Sequence, residues 1–300
     1  MDLKATIAAM ALEAGFVRVR ILAPFDPASD PHTCIPESYR AGAPSLLMAA
    51  LPYGNLQEAM PVPPAKGLAY IAPFAQRNYY REGVKQLQKL GATLRTQYGG
   101  KKSDFRILCN SPVPEKPLAQ DGGLGVLGRN GLMITPEAGS LVIIAAMTLP
   151  FSLEKDGAEP WLNPDNPFPW CRNCDPVCPP CVAACPTAAL SGDGGLDRSR
   201  CIQWYASGHG ASVPEEIARN WGKRLYGCTD CQDACVYNQV PIRGVPTDEG
   251  PLPAYMDPLD IGALSNEALK VRFKGTAMGL SWLGPEGIRR NARLAAQSIA

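Results

Sequence analysis

Nine of the chain's eleven cysteines fall between Cys171 and Cys235. In order they are Cys171, Cys174, Cys178, Cys181, Cys185, Cys201, Cys228, Cys231 and Cys235, and Pro186 follows Cys185 directly. Thiolates at such short spacings converge on soft metal. A segment of this kind folds around an inorganic core, and its work is to carry electrons.

The remaining composition narrows the setting. Three hundred residues, 46% of them apolar, are enough for one to two globular domains. A formal net charge of +1 gives no global attraction to nucleic acid or to an anionic membrane, so a polyanionic partner has to be held locally. The N-terminus has Asp2 beside Lys4 and no continuous apolar block, unlike a secretory signal. The longest apolar stretch, 141–149, is about half of the roughly 20 residues that span a bilayer. The expectation is a soluble cytoplasmic protein with no membrane association, where thiols stay reduced and bind metal instead of pairing.

Leu3, Ile7, Met10 and Ala14 recur at helical spacing and stop at Gly15, predicting a helix over 2–14 with a glycine cap. Strands are expected at 16–22 and 45–53, with a Pro- and Gly-rich surface loop over 24–43 and a break at the prolines of 61–64. From Arg77 to Tyr98, Val84, Leu87, Leu90 and Leu94 share a helix face. Strands at 104–110 and 140–149 flank a glycine-rich turn over 122–131. These elements make an α+β layer over 1–150. A cysteine-rich module follows over 151–240, then a C-terminal segment over 241–300 that packs back on the core, with short helices near 265–273 and 286–299.

A [4Fe-4S] cube takes four thiolates, and bacterial ferredoxins exchange one ligand between two such runs. On that pattern one cluster takes Cys171, Cys174, Cys181 and Cys235, and the other takes Cys185, Cys201, Cys228 and Cys231. Cys178 is then a spare. An alternative register uses Cys174, Cys178 and Cys181 and leaves Cys171 free. Two zinc sites are a further use for eight cysteines, though lone distant partners suit zinc less well than paired knuckles. Cys34 and Cys109 read as small buried hydrophobes.

The run from Cys181 to Leu190, Arg200-Cys201-Ile202 and Leu225 to Cys235 resembles the epoxyqueuosine reductases of tRNA queuosine synthesis. Ala72 to Tyr80, Asn110-Ser111-Pro112, Gly123 to Gly131, Arg272 to Thr276 and Arg289 to Ala292 are similar too. The resemblance implies a cobalamin-binding, nitroreductase-like α/β module beside a ferredoxin-like double-cluster module and short C-terminal helices, as in reductive dehalogenases. It also implies two [4Fe-4S] clusters that pass single electrons to cobalamin, an external donor such as a ferredoxin or flavodoxin, and a small-molecule or tRNA substrate. Gly123, Gly125, Gly128, Arg129 and Asn130 become candidate corrinoid contacts.

Three departures from that family stand out. Its catalytic aspartate position is Asn110 here, and an amide hydrogen-bonds without delivering a proton. Its R-D-Y-H motif carries Asn78 and Tyr80, which leaves Tyr79 and Tyr80 as hydroxyl donors, so the candidate catalytic residues are Asn110, Tyr79 and Tyr80. The family usually adds a C-terminal helical repeat, and with the sequence ending at Ala300 tRNA is expected to be the weaker substrate class. Arg289, Arg290, Arg293 and the Lys101-Lys102 pair read as solvated surface, as do His32 and His209. Three functions remain open: a corrinoid-dependent reductase of unknown substrate, an iron-sulfur protein that transfers electrons or binds a partner without turnover, and epoxyqueuosine reduction itself.

Overall fold

The structure, a computed structural model, describes residues 2–22, 44–53, 67–111, 113, 115–156, 180–208, 212–238 and 252–299. The expected loop over 24–43, the prolines of 61–64, Cys34, Cys171, Cys174, Cys178, His32 and His209 lie outside them.

Helix α1 (Leu3–Glu13) is capped by Asp2, whose carboxylate accepts from the Lys4 amide, and the chain leaves it through Gly15 at φ +101°. Strands β1 (Arg18–Leu22) and β2 (Ser45–Pro52) pair antiparallel. After β3 (Ala69–Ile71), Asn78 caps α2 (Tyr79–Tyr98) by accepting from the Arg81 amide at 3.0 Å. Then come β4 (Ile107–Leu108), α3 (Glu115–Asp121), a hairpin of β5 (Val126–Leu127) and β6 (Met133–Ile134), and β7 (Val142–Leu149).

The principal sheet runs β1-β2-β7-β4, antiparallel throughout. Strand β2 is buried along its whole length because both of its faces are covered. Leu47, Ala49 and Leu51 pack with Leu87, Leu90 and Leu94 of α2 and Ile7 of α1. Leu46, Met48 and Ala50 pack the other way, against Leu118 of α3 and Met133 of β6. Gly91 lets α2 lie close on the sheet, since a Cβ there would meet Met147 Sδ at 3.1 Å.

The cysteine-bearing segment supplies α4 (Pro180–Ala183), α5 (Ile202–Ala206), α6 (Glu215–Arg219), β8 (Arg224–Tyr226) and α7 (Asp230–Asp233). Beyond it lie β9 (Tyr255–Met256), α8 (Pro258–Ala263), α9 (Asn266–Arg272) and α10 (Gly284–Ile299). The two expected C-terminal helices are present, and α8 precedes them, announced by Asp257 capping a helix with proline at its first position. Strand β3 lies within 1–150 by sequence, yet it pairs with β8 in parallel and with β9 antiparallel. Its Ile71 belongs to a second core with Trp221, Leu225, Phe273 and Ile288. The last helix is fixed to α5 by Asn291, whose amide donates to the Ala206 carbonyl at 2.9 Å.

A knot of buried polar groups joins the sheet module to the cysteine-bearing segment. The Gln232 amide donates to Tyr53 Oη at 2.7 Å and to the Ser140 carbonyl at 2.9 Å. Asn238 donates to Ser140 Oγ at 2.9 Å and to the Gln232 carbonyl at 2.8 Å, and its own oxygen accepts from the Ser140 amide at 2.7 Å. Gly139, at φ +54°, makes room for it: a Cβ there would sit 2.1 Å from Asn238 Oδ1. Gly139→Ala is therefore expected to cost about 2–5 kcal/mol, combining a left-handed backbone with overpacking. A lowered urea midpoint with unchanged slope checks this, and an unchanged midpoint would show that the knot yields.

Candidate functional site

Short helices set the cysteines. Cys181 lies on α4 and Cys231 on α7, and these two helices pack together. Cys185 follows α4, Cys201 is the N-cap residue of α5, and Cys228 and Cys235 flank α7. Cys185, Cys201, Cys228 and Cys231 line one cavity of about 390 Å³. Cys181 and Cys235, each 7% exposed, are buried outside that lining.

No three His, Cys, Asp or Glu side chains among the described residues are close enough for a single metal ion. The four thiols instead surround a space, an arrangement for a body larger than one ion. Burial pushes the Cys228 thiol up to about 12, against the pull of Arg224. Burial also raises Cys201, and Cys231 is raised by burial and then by Cys228, Cys201, Cys181 and Cys185. Thiolates so placed repel one another and lack water, so a polynuclear cation is what would hold them ionised. One sulfur already has a donor: the Ala189 amide lies 3.2 Å from Cys185 Sγ, aimed by Ala188 in a left-handed turn at φ +48°.

The opposite wall comes from the sheet module. Asn110, leaving β4 at φ +52°, lines both this cavity and a smaller neighbour of about 320 Å³. Its loop is fastened at Ser111, whose amide and hydroxyl both donate to Glu115 Oε1, at 2.8 and 3.0 Å. Tyr80, 37% exposed, also lines both cavities. Tyr79 lines the smaller one, with its ring 5.9 Å from that of Tyr53.

Of the glycine-rich turn, Asn130 reaches the larger cavity, whereas Gly123, Gly125, Gly128 and Arg129 are not among its lining residues. The glycines have a packing reason. A Cβ on Gly125 would meet the Ile134 carbonyl at 2.4 Å, and one on Gly128 would meet Ile134 Cδ1 at 2.6 Å. Asn130, 4% exposed, accepts from the Leu132 amide on Oδ1, and its Nδ2 has no partner among the described residues. A buried, unpaired amide donor on a largely apolar wall fits a ligand that offers amide carbonyls, as the rim of a corrinoid does.

Sequence reasoning missed Gln203 and Tyr226. Gln203 lines both cavities, and its Oε1 is buried without a partner among the described residues. Tyr226, 3% exposed, faces the smaller cavity, which Gln203 and Trp282 also line; burial, with Tyr80 adding, raises its phenol to about 12. A lone glutamine or tyrosine carries no pattern, and closeness in sequence to Cys201 and Cys228 was the available hint. Two of the three arginines of α10 are structural: Arg289 donates to the Leu264 carbonyl at 2.9 Å and Arg290 to that of Tyr205.

Residues 169–238 match the family described as 4Fe-4S double cluster binding domain. The chain is 34% identical over 173 residues to the epoxyqueuosine reductase of Vibrio cholerae, covering 57% of this chain and 43% of that protein. It is 30% identical over 262 residues to that of Staphylococcus aureus, covering 84% and 63%. The chain thus spans less than two thirds of either relative. Its fold matches the crystal structure of an epoxyqueuosine reductase with an epoxyqueuosine-modified tRNA stem loop, with a TM-score of 0.80 at 24% identity, over 99% of this chain and 81% of that one.

Cys109, beside Asn110, donates from Sγ to the Ile144 carbonyl at 3.5 Å, and burial, with Glu115 adding, raises its thiol to about 12. At pH 8 roughly one molecule in 10⁴ then carries the thiolate. Iodoacetamide at that pH should leave Cys109 unmodified in the native protein and alkylate it in denaturant, as read by peptide mass spectrometry. Native labelling would place the thiol in water.

Proposed function

Because the chain belongs to the epoxyqueuosine reductase family, we propose that it is an iron-sulfur, corrinoid-dependent reductase whose substrate enters the smaller cavity. One observation carries this reading. Cys185, Cys201, Cys228 and Cys231 share a cavity with Asn110 and Asn130, so the electron-carrying wall and the corrinoid-facing wall enclose one space. When bound, the two [4Fe-4S] clusters would supply single electrons and a corrinoid a cobalt centre able to deliver them to a substrate.

The chain's own residues hold, orient and protonate. Cys171, Cys174, Cys181 and Cys235 are proposed for one cluster, with Cys178 spare, and Cys185, Cys201, Cys228 and Cys231 for the other. Asn130 Nδ2 donates to a corrinoid side-chain carbonyl. Asn110 orients the substrate through its amide, and the proton comes from a hydroxyl on the cavity wall, Tyr80 at the mouth or Tyr226 inside. Phe74, Tyr226 and Trp282 give the smaller cavity aromatic walls that exclude water. A ferredoxin or flavodoxin is the proposed reductant. None of the described helices is long and apolar enough to cross a membrane.

Anaerobic reconstitution with iron, sulfide and cobalamin should give about eight irons per chain and the EPR signal of base-off Co(II). Cys201→Ser should lose about half of the iron, Cys178→Ser none, and Asn130→Leu should weaken cobalamin binding about tenfold. Two clusters without cobalamin affinity would favour an electron-transfer protein instead.

The solved relative with its tRNA stem loop supports a second reading, epoxyqueuosine reduction itself. Complementation of a queuosine-deficient strain tests it. On that reading Asn110→Asp, which restores a carboxyl group, raises queuosine in tRNA about tenfold or more, and failure of both forms to yield queuosine rejects it.

A further inference from the structure

One wall of the thiol-lined cavity carries full charges. Asp230, two residues past Cys228, lines the cavity with the four thiols, and both of its carboxylate oxygens accept from the Arg224 guanidinium. Arg224 also opposes the burial that raises the Cys228 thiol.

Arg224 is held from every side. Its NH1 donates to the Trp221 carbonyl at 2.6 Å, its NH2 to Asp230 Oδ1 at 2.6 Å, and its own carbonyl accepts from the Trp221 indole at 2.6 Å. Its backbone sits in β8 opposite Tyr70, and its side chain is 16% exposed. Asp230, half as far along the chain from Cys228, also lines the cavity.

We propose that Arg224 sets the reduction potential of the cluster held by Cys185, Cys201, Cys228 and Cys231, and that Asp230 is the counter-charge that moderates it. The inference rests on the two-cluster reading above. Reduction adds one negative charge to a cluster. A fixed cation close to a cluster, largely shielded from water, stabilises the reduced form and raises the potential, and a neighbouring carboxylate works against it.

The test is an EPR-monitored potentiometric titration of the full chain, reconstituted anaerobically, with the two signals assigned by the one that Cys201→Ser removes. Arg224→Gln should lower the midpoint of that cluster by at least tenfold in the one-electron equilibrium, which is about 59 mV. Asp230→Asn, nearly the same size, should raise it. Loosened structure alone does not shift a potential in opposite directions. Should Arg224→Gln fail to take up eight irons, the upward shift in Asp230→Asn decides, with Arg224→Lys expected to fall between Arg224→Gln and the unmodified protein. Two clusters with midpoints that stay put, move the same way in both variants, or move in the other cluster overturn the proposal alone. Fewer than two clusters in the unmodified protein overturns the two-cluster reading with it.

Discussion

The buried knot of Gln232, Asn238, Ser140 and Tyr53 is the contact on which the rest of the architecture depends. Gln232 follows Cys231 directly, and Asn238 comes three residues after Cys235, so one short segment carries thiols proposed for two different clusters together with two buried amides. Left unpaired, each buried amide group would cost about 1–3 kcal/mol. The segment satisfies them at the Ser140 end of β7 and at Tyr53 beyond β2, and Gly139 leaves the space that Asn238 fills. The position of the cysteines relative to the principal sheet is set here, and so is the shape of the cavity between them.

Much of the fold was legible in the sequence where a pattern repeated over many residues. α1 and α2 fall within the segments that helical periodicity marked, and β2 and β7 within continuous apolar runs, because each lays apolar side chains against its partners. The sheet of β3, β8 and β9 was not legible. Each strand has two or three residues, and what makes them strands is the meeting of Tyr70, Arg224 and Tyr255, which are far apart in the chain. Local propensity cannot report a pairing decided by tertiary contact.

The site divides in the same way. Cysteine spacing pointed to the thiols, since chelation demands short intervals and four of them do line one cavity. The glycine-rich turn pointed less well. Closely spaced glycines signal either a ligand cradle or a backbone pressed against a neighbour, and Gly125 and Gly128 are pressed against Ile134. Asn130 was the informative residue of that turn, through a buried Nδ2 donor that none of the described residues satisfies. Gln203, Tyr226 and Arg224 carry no sequence signature because their roles come from what they face.

Among the described residues, two that are not glycine have positive φ: Asn110, which lines the cavity, and Ala188, which lies between two lining residues, Thr187 and Ala189. Neither backbone is free of cost: asparagine tolerates the left-handed region, but alanine pays about 1 kcal/mol there. At Ala188 the conformation returns an amide to Cys185, so the strain is exchanged for a hydrogen bond at a ligand sulfur. At Asn110 it leaves the side chain lining both cavities while Glu115 grips the next residue. On the proposed reading, this placement is what would let Asn110 orient a substrate through its amide, with the proton supplied by a hydroxyl on the same wall.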